Sequence, residues 1–274
     1  MYPQGPSGSQ AARRYDPQFG EEGARLTYGS YLRVDALLAQ QVPESDPPAH
    51  DELLFITIHQ VYELWFQLLL HELADARDLM MAGDAYRPRV RLQRAHVIER
   101  VLIGQVDVLE TMTPQDFLAF RENLAPASGF QSVQFRELEF LSGAKDPVYV
   151  ERLHDASAGE RDRLLRRLAE PTLWDGFVAV LSRAGRDVST REARLESLVR
   201  VAHDRAAYGE VWDLAEALIE HDSMMARWRA RHVLMVEREI GTKSGTGGST
   251  GAPYLRSRLD LRFFPELWEL RTRL

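Results

Sequence analysis

Between residues 51 and about 81 the large apolar side chains recur at helical spacing, at Leu54, Ile58, Val61, Trp65, Leu68 and Leu69. The stretch is apolar around almost its whole circumference, so it predicts a long helix at the centre of the fold. A second helix is predicted over about 88–111. Thr113-Pro114-Gln-Asp116 then reads as a helix start: threonine caps, proline suits the first turn, and the acid favours the positive end. That helix should run to about Leu124, before Ala-Pro-Ala-Ser-Gly. Helical spacing resumes over 131–141 and stops at Ser142-Gly143. Residues 158–204 read as short amphipathic helices with weak boundaries. A long helix is predicted over 208–240, with Gly241 as its natural stop. A short one follows over 253–260, and Phe263-Phe264-Pro265 leads into the tail. Strand-like alternation is nearly absent and no internal repeat is visible. The fold class is all-α, a bundle of long helices.

The two ends of the pattern differ. Residues 1–24 are rich in Gly, Pro, Ser and Gln, with almost no large apolar side chains, and are expected to be a mobile N-terminal segment. Residues 25–274 are expected to form a single all-helical domain. Its first short helix begins near Thr27, and its first loop is 42–50, where three prolines break any ladder.

Composition narrows the chemistry. Of the 274 residues 45% are hydrophobic, enough for a large core, and 41 acidic against 34 basic side chains leave a net charge of −7. That balance argues against a nucleic-acid partner. With no cysteine, disulfides, zinc–thiolate sites, iron–sulfur clusters and thiolate-ligated haem are excluded. No apolar run approaches the roughly 20 residues of a membrane span, and no secretory signal is visible. A cytoplasmic protein with no membrane partner is expected.

Two of the eight histidines stand out. His59 lies in Phe55-Ile-Thr-Ile-His59-Gln-Val-Tyr-Glu-Leu-Trp65, inside the apolar central helix, and His232 lies among Met225, Trp228, Met235 and Val236. Each has two readings. It is a packed histidine bonded to a nearby carbonyl, or an imidazole facing a buried cofactor as iron ligand or proton partner. Other metal signals fail. His71-Glu72 opens like a zincin motif, but Asp75 stands where the second histidine belongs. Glu151-Arg-Leu-His154 is the only Glu-x-x-His, where a di-iron bundle needs two. Lys243-Ser-Gly-Thr-Gly-Gly-Ser-Thr-Gly251 is no P-loop; it is a flexible connection or a lid. Arg121 is either a solvated helix-end arginine or a fork for a substrate carboxylate. Tyr28 and Tyr31 read as an apolar anchor for the first short helix.

Several of these short motifs, in this order, resemble the tryptophan 2,3-dioxygenase family over about 26–274. They are Thr27-Tyr-Gly-Ser-Tyr-Leu32, Phe-x-x-x-His59-Gln-Val-Tyr-Glu-Leu-Trp-Phe, Asp116-Phe-Leu-Ala-Phe-Arg121 and Ser128-Gly-Phe-Gln-Ser132. Trp-Arg-x-Arg-His232, Gly245-Thr-Gly-Gly-Ser-Thr-Gly251 and Phe264-Pro-Glu-Leu-Trp268 complete the set. The resemblance implies a haem b (iron) enzyme that inserts O2 across the indole C2–C3 bond of L-tryptophan to give N-formylkynurenine. It implies His232 as proximal ligand, His59 as the distal histidine facing the indole N–H, and Ser128 and Gly129 lining the haem pocket. Phe55 and Phe117 would pack on the indole, Arg121 would bind the carboxylate and Thr246 the ammonium. Tyr28, Tyr31 and Leu32 would reach a neighbouring subunit's pocket, in a homotetramer of intertwined dimers. Thr57 and Thr242 stand where relatives often carry larger apolar residues. A same-fold haem monooxygenase is the alternative enzyme, and a haem sensor or carrier the non-enzymatic one, since fold alone does not decide function.

Overall fold

The structure, a computed structural model, describes residues 26–153 and 156–274, all helix and loop, in two compact units that meet in sequence at Val42 and Pro43. The segment 1–24 expected to be mobile lies outside the described residues, as does His154.

In the first unit α1 (Tyr28–Leu32) begins where the sequence predicts. The Thr27 hydroxyl accepts from the Ser30 N–H at 3.2 Å and the Ser30 hydroxyl from the Thr27 N–H at 2.9 Å, a reciprocal cap. Arg33, at φ 53°, separates it from α2 (Val34–Leu38), and neither helix has a buried residue.

The second unit is built on α3 (Glu52–Met81). The buried Glu52 carboxylate accepts from the Glu44 N–H at 2.7 Å and from the Ser45 N–H at 3.1 Å, which ties the proline-rich loop to the first turn. α4 (Arg87–Leu109) packs along α3, and their seam of Leu69, Leu73, Ala76, Met80, Leu92, Ala95 and Leu102 is almost fully buried. Contrary to the sequence reading, α3 is long and apolar enough to cross a membrane, with an 18-residue window of mean hydropathy 1.4. Here it packs against three other helices of the unit, as the core helix of a bundle does.

α5 (Pro114–Leu118) opens with the predicted Thr113 cap but stops well short of Leu124. Phe120 leaves helical geometry at φ −126°, ψ −7°, and its ring is buried against Phe55 and Phe117. A 3-10 turn at Arg121–Leu124 completes the segment, so burial of one aromatic ring overrides continuation of the helix. α6 (Val133–Ser142) ends at Gly143, with φ 126°. α7 (Val148–Arg152) was too short to be seen in the pattern. α8 (Ala158–Ala169), α9 (Leu173–Arg183) and α10 (Arg191–His203) have sharper starts than expected. Ser157, Thr172 and Thr190 each cap one, the first two with Glu160 and Asp175 closing the box. α9 crosses α3 at Gly176, where a Cβ would stand 3.0 Å from Met80 Cβ and 3.2 Å from the Arg77 carbonyl. α6, α7 and α8 enclose a small second core of Val133, Phe140, Tyr149, Val150, Leu153 and Leu164.

α11 (Arg205–Ile240) packs on α4. Its backbone kinks at Tyr208 (φ −123°), the residue at which the periodicity alone begins the helix, and Gly241 ends it with φ 62°. α12 (Ala252–Arg256) is the predicted short helix. α13 (Pro265–Arg273) was not predicted. Its anchor is long-range: the fully buried Asp222 on α11 accepts from the Phe263 N–H (2.9 Å), the Phe264 N–H (3.2 Å) and the Trp268 indole (2.8 Å).

Candidate active site

α3 and α11 each turn one histidine towards a common cavity of about 280 Å³, closed by the 128–136 segment and the glycine loop. Phe55, His59, Phe117, Arg121, Ser128, Gly129, His232 and Thr246 all line it. The separate sequence motifs therefore converge on one place. The cavity is lined by the second unit; Tyr28, Tyr31 and Leu32 stand on α1 in the first, exposed at 80%, 72% and 45%.

The two imidazoles are held differently. His59 Nδ1 lies 2.7 Å from the Phe55 carbonyl, one helical turn back. A carbonyl only accepts, so Nδ1 carries the proton and Nε2 keeps its lone pair. His232 has no hydrogen-bond partner among the described residues; its ring lies parallel to Trp228, 5.2 Å away with planes 6° apart. Burial pushes its pKa down to about 4, with the nearby His59 adding to the effect. Burial also lowers His59, partly opposed by the Phe55 carbonyl and Glu63. Both rings are therefore neutral at pH 7, the state in which imidazole ligates a metal or accepts a hydrogen bond.

Aromatic rings form the wall beside His59. Phe55 sits 4.1 Å from the His59 ring and 5.6 Å from both Phe117 and Phe120. Glu63 accepts from Ser132 (2.6 Å) and Gln134 (2.8 Å), which fastens the 128–134 segment to α3.

The glycine loop is folded down rather than free. Thr246 donates to the Ala127 carbonyl at 2.6 Å, and Arg121 to the Ser244 carbonyl. A Cβ on Gly247 would come within 2.5 Å of Ser128 Cβ, so only glycine allows the loop this close. Arg121 and Thr246 are thus on the cavity wall together, both bonded to backbone carbonyls.

Sequence reasoning missed a further polar group on the wall. Arg136, Glu139, Arg229, Glu239 and Arg258 line it, and Arg136, Glu139, Arg229 and Glu239 are buried. Arg229, at i−3 from His232 on a helix face otherwise apolar, was the legible signal. Burial raises the Glu239 carboxyl pKa, and its Oε2 has no partner among the described residues.

No group of three or more metal-ligating side chains exists among the described residues. The donor set, one partnerless neutral imidazole over an apolar slot, fits a metal that arrives with its other ligands already in place, as in haem.

The fold and cavity define an all-α protein that presents a histidine from each of two long helices to a shared internal pocket. The sequence matches the family profile described as tryptophan 2,3-dioxygenase over residues 15–175 and 170–274. A tryptophan 2,3-dioxygenase from Nocardioides sp. (strain ATCC BAA-499 / JS614) is 62% identical over 260 residues, covering 93% of this chain and 97% of the relative. Those from Herpetosiphon aurantiacus and Myxococcus xanthus are 46% and 42% identical, covering 90% and 91% of this chain and 97% and 90% of their own. The chain belongs to the tryptophan 2,3-dioxygenase family.

Proposed function

We propose that the chain is a cytoplasmic haem dioxygenase that inserts both atoms of O2 across the indole C2–C3 bond of L-tryptophan, giving N-formylkynurenine. The observation that carries this reading is the convergence of a partnerless neutral His232, a lone-pair-bearing His59 and the Arg121–Thr246 pair on one aromatic-walled cavity. The activity for which the family is named supports the choice of substrate.

His232 would hold the iron, with its ring stacked parallel to Trp228. When bound, haem supplies the iron centre at which O2 is activated. His59 Nε2 accepts a hydrogen bond from the indole N–H, an assignment that follows from the proton on Nδ1. Phe55 and Phe117, stacked 5.6 Å apart, would take the flat indole and exclude water, and Ser128 and Gly129, which line the same cavity, would flank the haem. Arg121 grips the substrate carboxylate, because a planar guanidinium offers two parallel donors. Thr246 takes the ammonium by turning its hydroxyl from Ala127 and accepting with its oxygen. Holding the reacting bond in place in this way accounts for several kcal/mol of barrier reduction.

We also propose a single catalytic domain over 25–274 behind a mobile segment 1–24, assembled as a homotetramer. Exposed apolar stripes support assembly: Val90, Val97, Val101 and Val108 on α4, and Leu53, Leu64 and Leu68 on α3. Tyr28, Tyr31 and Leu32, exposed on α1, are assigned to a neighbouring subunit's pocket.

Product analysis under 18O2 tests the activity. The proposal expects a product absorbing in the near ultraviolet and carrying two labelled oxygens. A single labelled oxygen, or an oxindole, would overturn it.

A further inference from the structure

Three polar side chains that the proposed reaction does not use meet in the core. His221 on α11 has Nδ1 2.5 Å from the Glu99 carboxylate on α4. Its Nε2 lies 2.9 Å from the hydroxyl of Ser142, the last residue of α6. In an accessible site, hydroxyl, imidazole and carboxylate in this order make an activated nucleophile. Here each of the three is 1% exposed and none lines the cavity, so no substrate reaches the hydroxyl. What the bonds do instead is join three helices, α4, α6 and α11, each of which also contributes to the cavity wall or its near edge.

An aromatic bridge joins α6 and α11 as well. The rings of Phe135 on α6 and Trp228 on α11 are 5.0 Å apart. From Ser142 back to Phe135 is seven residues, and from His221 on to Trp228 is also seven, two helical turns each. The two helices therefore pass each other antiparallel in one register. Trp228 in turn lies parallel to the His232 ring, 5.2 Å away. His221, Met225, Trp228 and His232 thus share one stripe of α11. Apolar burial is non-directional and tolerates sliding, whereas a hydrogen bond holds its partners in angle and distance. Glu99 fixes the rotation of the His221 ring from α4, and Phe263 stacks on its face at 5.6 Å, 20° from parallel. Nε2 therefore has one place to point, and a slip of α6 would strand it without a partner in the core, which is costly.

We propose that Glu99, His221 and Ser142 are positioning residues for His232. They fix the register of α11 against α6 and α4, and through Phe135 and Trp228 they fix the plane of the His232 ring. The polar end of the α6–α11 seam carries the direction, and the aromatic end transmits it two turns further on. This rests on the haem reading above, in which that ring plane faces the iron.

The test is resonance Raman spectroscopy of the full-length, haem-loaded ferrous protein, which reads the iron–histidine stretching band. Ser142→Ala and His221→Leu should displace or broaden that band while haem stays bound. Glu99→Gln, whose amide oxygen still accepts at Nδ1, should keep the wild-type band. If His221→Leu fails to fold because Glu99 is left stranded, the double variant Glu99→Met/His221→Leu restores an apolar core and should show the same displaced band. Leu198→Ala, at a fully buried position on α10, is the control: it should lower stability in urea and leave the band in place. A wild-type band in Ser142→Ala and in the double variant would overturn the proposal while leaving the haem reading intact. So would an equal displacement in Leu198→Ala, which would reduce the three residues to general stability. A wild type without any iron–histidine band would overturn both.

Discussion

Replacing His232 with leucine should change how the haem-free chain responds to acid. The folded pKa of His232 is pushed from 6.5 down to about 4. Between those values the unfolded chain takes up a proton that the folded chain refuses, so stability rises with pH through this window and is lost as pH falls. A shift of about 2.5 units at about 1.4 kcal/mol each gives roughly 3.5 kcal/mol, a ceiling because water entering the cavity screens the charge. His232→Leu keeps an apolar side chain at the site and removes the titration. Urea unfolding of the two haem-free proteins at half-unit steps from pH 7 to 4 measures the effect. The carboxylates titrate alike in both, so the difference isolates His232. Wild type should lose about 2–3 kcal/mol more than the variant between pH 6.5 and 4. Parallel curves would refute the argument that burial holds this imidazole neutral.

Arg121→Ala should raise KM for L-tryptophan by the equivalent of about 2–4 kcal/mol, and an unchanged KM would remove Arg121 from the carboxylate site. Gly247→Ala puts a Cβ 2.5 Å from Ser128 Cβ; steady-state kinetics should show a raised KM with haem content unchanged, and wild-type kinetics would mean the loop need not close on Ser128. Asp222→Ala strands three buried donors and should cost about 3–5 kcal/mol in chemical denaturation, whereas a loss under about 1 kcal/mol would show that α13 is held by apolar packing alone. Glu239 has its pKa raised by burial, so ionisation in the unfolded chain lowers stability as pH rises above about 4.5. Glu239→Gln should flatten that loss in urea titrations, and an unchanged slope would contradict it.

Much of the fold could be read in the sequence because its long helices carry their own signals. α3 and α11 announce themselves by apolar period and by Gly241, and the caps at Thr27 and Thr113 stand in the sequence as they do in the structure. What escaped is set by distant partners. α13 depends on Asp222, more than forty positions away along the chain, and α5 is cut short because Phe120 must reach Phe55. The site divides the same way. His59, Arg121, His232 and Thr246 sit in distinctive motifs, and the cavity collects them. Pattern left both histidines divided between packing and function; for His232 no carbonyl or carboxylate among the described residues makes it a satisfied core residue, while His59 is bonded and still presents Nε2. The arginines at 136, 229 and 258 escaped because a lone arginine carries no period, and their grouping emerges only when α6, α11 and the turn after α12 bring them to one cavity.

The most direct measurement of the central claim is the absorption spectrum of the full-length chain loaded with haem, oxidised and then ferrous without oxygen, beside that of His232→Ala. The account predicts stoichiometric haem with a histidine-ligated Soret band in wild type, shifted by L-tryptophan, and loss of haem or of that band in the variant. A colourless wild type that cannot be loaded, or a variant with the same haem content and spectrum, would contradict it.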